Sequence, residues 1–172
     1  MQTTPISILT TGGTIEKSYS EFDGTLLNRT SLVRTHLLKR LRLPYSQVRV
    51  KDLLSKDSLY MTNEDRRFIY TQVESELAEG RAVVVLHGTD TMEHTAKFCL
   101  ENIKNLNHPV VFTGAMKPLG FDDSDAQQNF TEALYAAAVV ASGVYISFHG
   151  KLFKVPNVRK NKALGTFETY DL

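Results

Sequence analysis

The chain has 172 residues, 42% of them hydrophobic, enough for one compact domain with a continuous core, and no second full domain is expected. With 20 Lys and Arg against 19 Asp and Glu, the formal net charge is +1 and no long block of one sign occurs, so nucleic acid is not an expected partner. The single cysteine, Cys99, excludes an intrachain disulfide and a thiolate metal cluster; no segment has the form of a secretion signal or nears the roughly 20 apolar residues of a membrane span, so a cytoplasmic location without membrane contact is expected.

In chain order, ISILT (6–10) reads as a short apolar strand and is followed by a polar segment, 15–28, with Gly24 as a possible hinge. TSLVRTHLLKRL (30–41) reads as an amphipathic helix and VRVKDLL (48–54) as a strand. The helix predicted over 62–80 carries Phe68, Val73 and Leu77 near helical spacing, opens on Thr62 and Asn63 as caps and stops at Gly80. Two further strand–helix alternations follow, AVVVLH (82–87) with a helix over 91–104 and PVVFTG (109–114) with a helix over 124–142, and then a last strand, VYISFH (144–149). This alternation predicts a single doubly wound α/β domain spanning 1–172, its sheet mainly parallel and its helices on both faces.

Ligands of such sheets bind at the carboxyl ends of the strands. Two segments occupy that place, LTTGGT (9–14) and HGTDT (87–91). Glycines there let the backbone turn sharply and offer N–H groups to an anionic atom, leaving Thr14 exposed at the crevice. A plain tight turn accounts for GGT equally well, whereas the spacing fits neither phosphate-binding glycine signature. Asp90 suits a ligand ammonium, and it also suits the N-cap of the helix beginning near Thr91; the Thr89 hydroxyl can exchange a hydrogen bond with a reacting group. His87 and His94 stand seven apart with no metal-binding spacing, and they read as structural, as do His36, His108 and His149; no metal is expected.

Taken in order, TTGGTIE, DSLYMTNED, VVVLHGTDTMEHTA, PVVFTGAMKP and SDAQQNFTEAL resemble the amino-terminal domain of the bacterial-type L-asparaginases, over most of the chain. The length is similar to that of short-chain members lacking the usual second domain. The resemblance implies that Thr14 is the nucleophile and that Thr89 and Asp90 are catalytic and substrate-binding, with Gly13 and Gly88 lining the substrate. It places a lid over 15–28 with Tyr19 as its catalytic tyrosine, and it gives Ser58, preceded by Asp57, to the substrate carboxylate. Ser58 also suits the cap of a turn. A catalytic lysine is expected in VPNVRKNKALGTF, where alignment of NVRK favours Lys160 over Lys162.

The implied reaction converts L-asparagine to L-aspartate and ammonia through a threonyl acyl-enzyme, without cofactor or metal. Burial and nearby charge can lower a lysine pKa until a neutral amine exists for proton relay. Two other classes fit the same crevice: an amidotransferase-like subunit that releases ammonia, and a sensor that binds asparagine or aspartate without turnover. A homo-oligomer, dimer or tetramer, is expected from apolar helix faces such as ALYAAAVVA.

Overall fold

The computed structural model describes residues 3–19, 22, 26–28 and 33–170. In chain order the strands and helices are β1 (Thr4–Thr10), β2 (Lys17–Tyr19), β3 (Leu26–Asn28), β4 (Ser46–Asp52), α1 (Asn63–Ala78), β5 (Ala82–Leu86), α2 (Met92–Asn102), β6 (Pro109–Thr113), α3 (Ala126–Val139), β7 (Gly143–Phe148), β8 (Lys151–Lys154), β9 (Val158–Asn161) and β10 (Thr166–Thr169). Short 3-10 turns span Thr14–Glu16, Leu38–Arg40 and Ser58–Tyr60.

Six strands form the main sheet in the order β4, β1, β5, β6, β7, β8; the first five run parallel and β8 closes one edge antiparallel to β7. Central strands β5 and β6 are buried at every position, because helices cover both faces and each side chain faces a core. Alternation sorts them: Val83 and Val85 pack with Ile69, Val73 and Leu77 of α1 and with Ala96 and Cys99 of α2, whereas Val84 and Leu86 pack with Phe130, Ala133 and Ala137 of α3. Each such fully buried aliphatic side chain contributes about 1.5–3 kcal/mol. Ala133, Ala136 and Ala137 of ALYAAAVVA therefore serve helix-on-sheet packing, and the outward face of α3 is left to Tyr135, Ala138 and Val139.

Helix α1 begins with a reciprocal capping box: the Asp65 backbone N–H donates to Thr62 Oγ1, and the Thr62 N–H to Asp65 Oδ2. Its buried stripe is Ile69, Val73, Glu76 and Leu77, while Phe68, expected on that stripe, is 42% exposed. Glu76 is buried beside cations from the sheet edge, with Lys51 Nζ at 2.5 Å and Arg49 and Ser7 donating to its other oxygen. Burial would raise this carboxyl, yet the bonds from Lys51, Ser7 and Arg49 outweigh it and hold its pKa below the ordinary value. Arg81 completes the staple by donating to the Ile6 and Gln47 carbonyls, each at 2.8 Å.

The helix expected over 30–41 is not a regular α-helix: Val33–Leu37 is π-helical and Leu38–Arg40 is a 3-10 turn, residues 30–32 lying outside the described residues. The β-branched Val33 and Thr35 are poor helix formers, and among the described residues here Val33 and Leu37 are fully buried while Leu38 and Leu41 pack only partly against the core, a short stripe on which to stabilise a longer helix. Hairpins β2–β3 and β9–β10 and the edge strand β8 lie beyond the elements expected from the sequence.

Candidate functional site

With the parallel strands renumbered along the chain, their order is second, first, third, fourth, fifth, and the order reverses between β1 and β5. Ligands of doubly wound sheets bind at such a reversal, outside the carboxyl ends of the strands. The loops leaving β1 and β5 are the two segments that carry Thr14 and Thr89.

These loops touch at main-chain level. A Cβ on Gly13 would lie 2.5 Å from Gly88 Cα, and a Cβ on Gly88 would lie 2.5 Å from Ser58 Oγ. Gly13 also has φ of +88°, which a side chain would strain. The glycines thus let three loops, 11–14, 55–58 and 87–90, meet without intervening side chains. Further bonds fix the meeting: the Thr11 hydroxyl donates to the Leu86 carbonyl at 2.8 Å, the Lys56 N–H to the Thr11 carbonyl at 3.2 Å, and the Thr91 hydroxyl to the Ser58 carbonyl at 2.9 Å. Thr14 opens a 3-10 turn directly after Gly13 and is half-buried.

Lys160 arrives from hairpin β9–β10. Its Nζ donates to Thr89 Oγ1 at 2.7 Å and to Asp90 Oδ1 at 2.8 Å. Strand alternation explains why this lysine is the one delivered. Val158 and Lys160 point inward with Phe167, the register partner of Lys160, whereas Arg159 and Asn161 point outward and share Glu168. Lys162 lies in the turn and is exposed. Asp90 is not the cap of α2; that position falls on Thr91, whose side chain makes no capping bond, and Asp90 is committed to Lys160.

Ser58 is 1% exposed, and its Oγ has no hydrogen-bond partner among the described residues. Capping of its turn falls instead to Asp57, which accepts from the Leu59 N–H and pairs with Lys17 at 3.0 Å. The Leu59 N–H outweighs burial, and with Lys17 and the more distant Lys160 it keeps the Asp57 carboxyl below its usual range. Tyr19 ends β2 and is 61% exposed. Much of the expected lid, including Gly24, lies outside the described residues.

Two buried ionisable groups border the loops. His87 is fully buried, donates from Nδ1 to the Gly88 carbonyl at 2.8 Å, and is pushed down to about 4 by burial, so it stays neutral. Glu16 is the residue that sequence reasoning misses. Its carboxylate accepts from the Gly12 N–H at 2.6 Å, and burial together with Asp52 pushes its pKa up to about 7 against the bonds from Gly12 and Thr10. A single acid inside TTGGTIE leaves no periodicity or spacing signal. A largely apolar cavity of about 470 Å3 lies at the opposite, amino-terminal ends of the strands, lined by Leu43, Tyr45, Leu134 and Tyr135.

A family model described as "Asparaginase, N-terminal" matches residues 5–171. The chain therefore belongs to the asparaginase family and corresponds to its N-terminal domain. It is 33% identical over 171 residues to L-asparaginase 1 of Escherichia coli strain K12, covering 96% of this chain and 50% of that protein. It is 31% identical over 159 residues to the L-asparaginase of Thermococcus kodakarensis, whose solved structure superposes with a TM-score of 0.88 over 96% of this chain and 51% of the other. A glutamyl-tRNA(Gln) amidotransferase component from Thermoplasma acidophilum is 32% identical over 148 residues, covering 84% of this chain and 35% of that protein. The chain spans about half the length of the L-asparaginases it matches. Among the described residues no helix is long and apolar enough to cross a membrane.

Proposed function

We propose that this domain hydrolyses the side-chain amide of L-asparagine to L-aspartate and ammonia. The observation that carries the reading is the Lys160 amine held at 2.7 Å from Thr89 Oγ1 and 2.8 Å from Asp90 Oδ1, on a loop whose Gly88 backs onto the Gly13 of the Thr14 turn. An amide is a poor electrophile and a hydroxyl a poor nucleophile, so one is polarised while the other is deprotonated in place. Thr14 Oγ1 attacks the amide carbon; its proton passes to the departing nitrogen, giving ammonia and a threonyl ester. Water then attacks the ester and returns the proton to Thr14, releasing aspartate. The Lys160–Thr89 hydrogen bond runs in either direction, from ammonium to hydroxyl or from hydroxyl to amine, and this is the property a proton relay needs. Backbone N–H groups near Gly13 and Thr89 receive the oxyanion, each donor being worth about 3–4 kcal/mol in studied enzymes. The second Asp90 oxygen takes the substrate ammonium, and the unpartnered Ser58 Oγ, with Asp57 behind it, takes the carboxylate. Tyr19 closes over the amide from the lid. No cofactor enters this scheme.

The domain acts in the cytoplasm in this reading, in keeping with its single buried cysteine, and assembles as a homo-oligomer through exposed Tyr135 and Val139 of α3. The test is ammonia release from purified protein. Asparagine should be turned over in preference to glutamine, because the gripped α-groups fix the reach to Thr14 and a misplacement of about 1 Å costs roughly a hundredfold. Thr14→Ala and Thr89→Val should each lower the rate by about three orders of magnitude with unchanged circular dichroism; near-normal turnover by either variant overturns the assignment. The likeness to an amidotransferase component supports a second reading, in which the domain releases ammonia for a partner. Turnover of free asparagine by the chain alone decides against it.

A further inference from the structure

The turn joining β7 to β8 is made by His149 and Gly150, with φ of 48° and 77°, between the paired residues Phe148 and Lys151. Two successive left-handed residues define a type I′ hairpin turn, where Asn followed by Gly is the least strained choice. Among the described residues His149 is the one non-glycine with positive φ. A residue kept against that backbone preference points to what its side chain does.

The ring is engaged at both nitrogens. Nε2 lies 2.8 Å from Asp125 Oδ2 and Nδ1 lies 3.1 Å from Thr166 Oγ1. A carboxylate only accepts, so Nε2 carries a proton, and in the neutral ring Nδ1 accepts from the Thr166 hydroxyl. Asp125 is a firm anchor, for it also receives the Met116 and Lys117 N–H groups, each at 3.0 Å, and the Asn129 amide at 2.9 Å. The buried Asn129 accepts in turn from the His149 N–H at 3.0 Å. On the other side, Thr166 pairs with Asn161, and the next register pair is Phe167 with Lys160.

We infer that His149 is a positioning residue: it ties the β9–β10 hairpin to the carboxyl edge of the sheet and thereby sets Lys160 Nζ on Thr89 and Asp90. The inference rests on the relay role given to Lys160 above. The hairpin is also anchored by apolar packing, with Val158 in the core and the Phe167 ring against Phe148, centroids 5.0 Å apart. Apolar packing is weakly directional and lets a two-stranded ribbon rock, whereas the two ring bonds fix its distance from α3 and from the end of β7. A lysine that must meet two oxygens at hydrogen-bond distance depends on that setting.

The deciding variants are His149→Asn, which suits the type I′ turn and is too short to bridge both partners, and Thr166→Val, which deletes the hydroxyl at constant shape. Each should lower kcat for asparagine about 10- to 100-fold while KM stays within about twofold and the melting temperature is kept. Amide exchange over 158–169 should quicken at least about tenfold, a readout independent of turnover, and the double variant should be little worse than either single one. Wild-type kcat or unchanged exchange in His149→Asn overturns the inference. So does a fall in kcat matched by a rise in KM and a lower melting temperature, since that marks general loosening. Lys160→Met is the companion measurement. Full activity in Lys160→Met sinks the relay role and this inference with it, whereas an inactive Lys160→Met beside a fully active His149→Asn sinks the inference alone.

Discussion

Replacing Glu16 by Gln should stabilise the protein at mildly alkaline pH and leave it little changed near pH 5. The Glu16 side chain is fully buried, and burial dominates its titration, with Asp52 acting in the same direction, so its pKa rises from 4.5 to about 7. An acid whose pKa is raised by folding binds more protons in the native state than in the unfolded one; stability therefore falls as pH climbs from 4.5 towards 7, and the full penalty stands above 7. At about 1.4 kcal/mol per decade the penalty totals about 3 kcal/mol, of which about 2.5 kcal/mol develops between pH 5 and pH 8. Glutamine is neutral throughout, and its amide oxygen can still accept from the Gly12 N–H, so it escapes this loss. Urea denaturation of both proteins at the two pH values isolates the effect as a double difference, which cancels every other titrating group. The expected double difference of about 2.5 kcal/mol corresponds to a melting-temperature gap of about 5–10 °C for a domain of this size. Parallel pH dependence of the two proteins, within about 0.5 kcal/mol, would refute the claim that burial raises the Glu16 pKa.

Glu76 should behave with the opposite sign. Its carboxyl is held below the ordinary value, so its stabilisation is present above the unfolded pKa and is lost as pH falls through the folded one. Glu76→Ala should cost about 3 kcal/mol by thermal melting, at the lower end for a broken buried pair because Arg49 and Lys51 are 35% and 37% exposed and regain water. Gly13→Ala should fold with a melting temperature lowered by several degrees and lose nearly all turnover, because its Cβ would meet Gly88 Cα at 2.5 Å and force the two loops apart. Wild-type kinetics in that variant would show that the loops need not touch. Asp90→Asn should chiefly raise KM for asparagine, and an unchanged KM would remove Asp90 from the substrate ammonium.

The parallel strands are legible in the sequence because burial on both faces leaves an uninterrupted apolar run, as in AVVVL of β5. The ribbons are not. In β9 the pattern Val158, Arg159, Lys160, Asn161 resembles a solvated edge until its partner is known, and only pairing with Phe167 shows that Lys160 lies on the inward face. For the same reason the sequence leaves the choice between Lys160 and Lys162 to alignment. Thr14, Thr89 and Asp90 stand out through the glycines beside them, whose spacing is local. Glu16, the orphaned Ser58 Oγ and the Asp125–His149–Thr166 chain depend on contacts between distant segments, the last joining residues 24 and 17 positions apart. His149 reads as one of several isolated histidines, because neither a positive φ nor a two-sided ring bond leaves a mark on composition.

The Lys160–Thr89 bond joins positions 71 apart in the chain, and the loops it completes come from the first strand onward. During synthesis, which proceeds at about 5–20 residues per second, the threonines and their glycines are made several seconds before the amine that meets them. The nascent domain can thus assemble a sheet whose crevice is shaped but chemically inert. Under the relay role proposed for Lys160, activity would arise with the docking of one small ribbon, late and in a single step, so a chain that folds without that ribbon would pass as native by shape and yet do no chemistry.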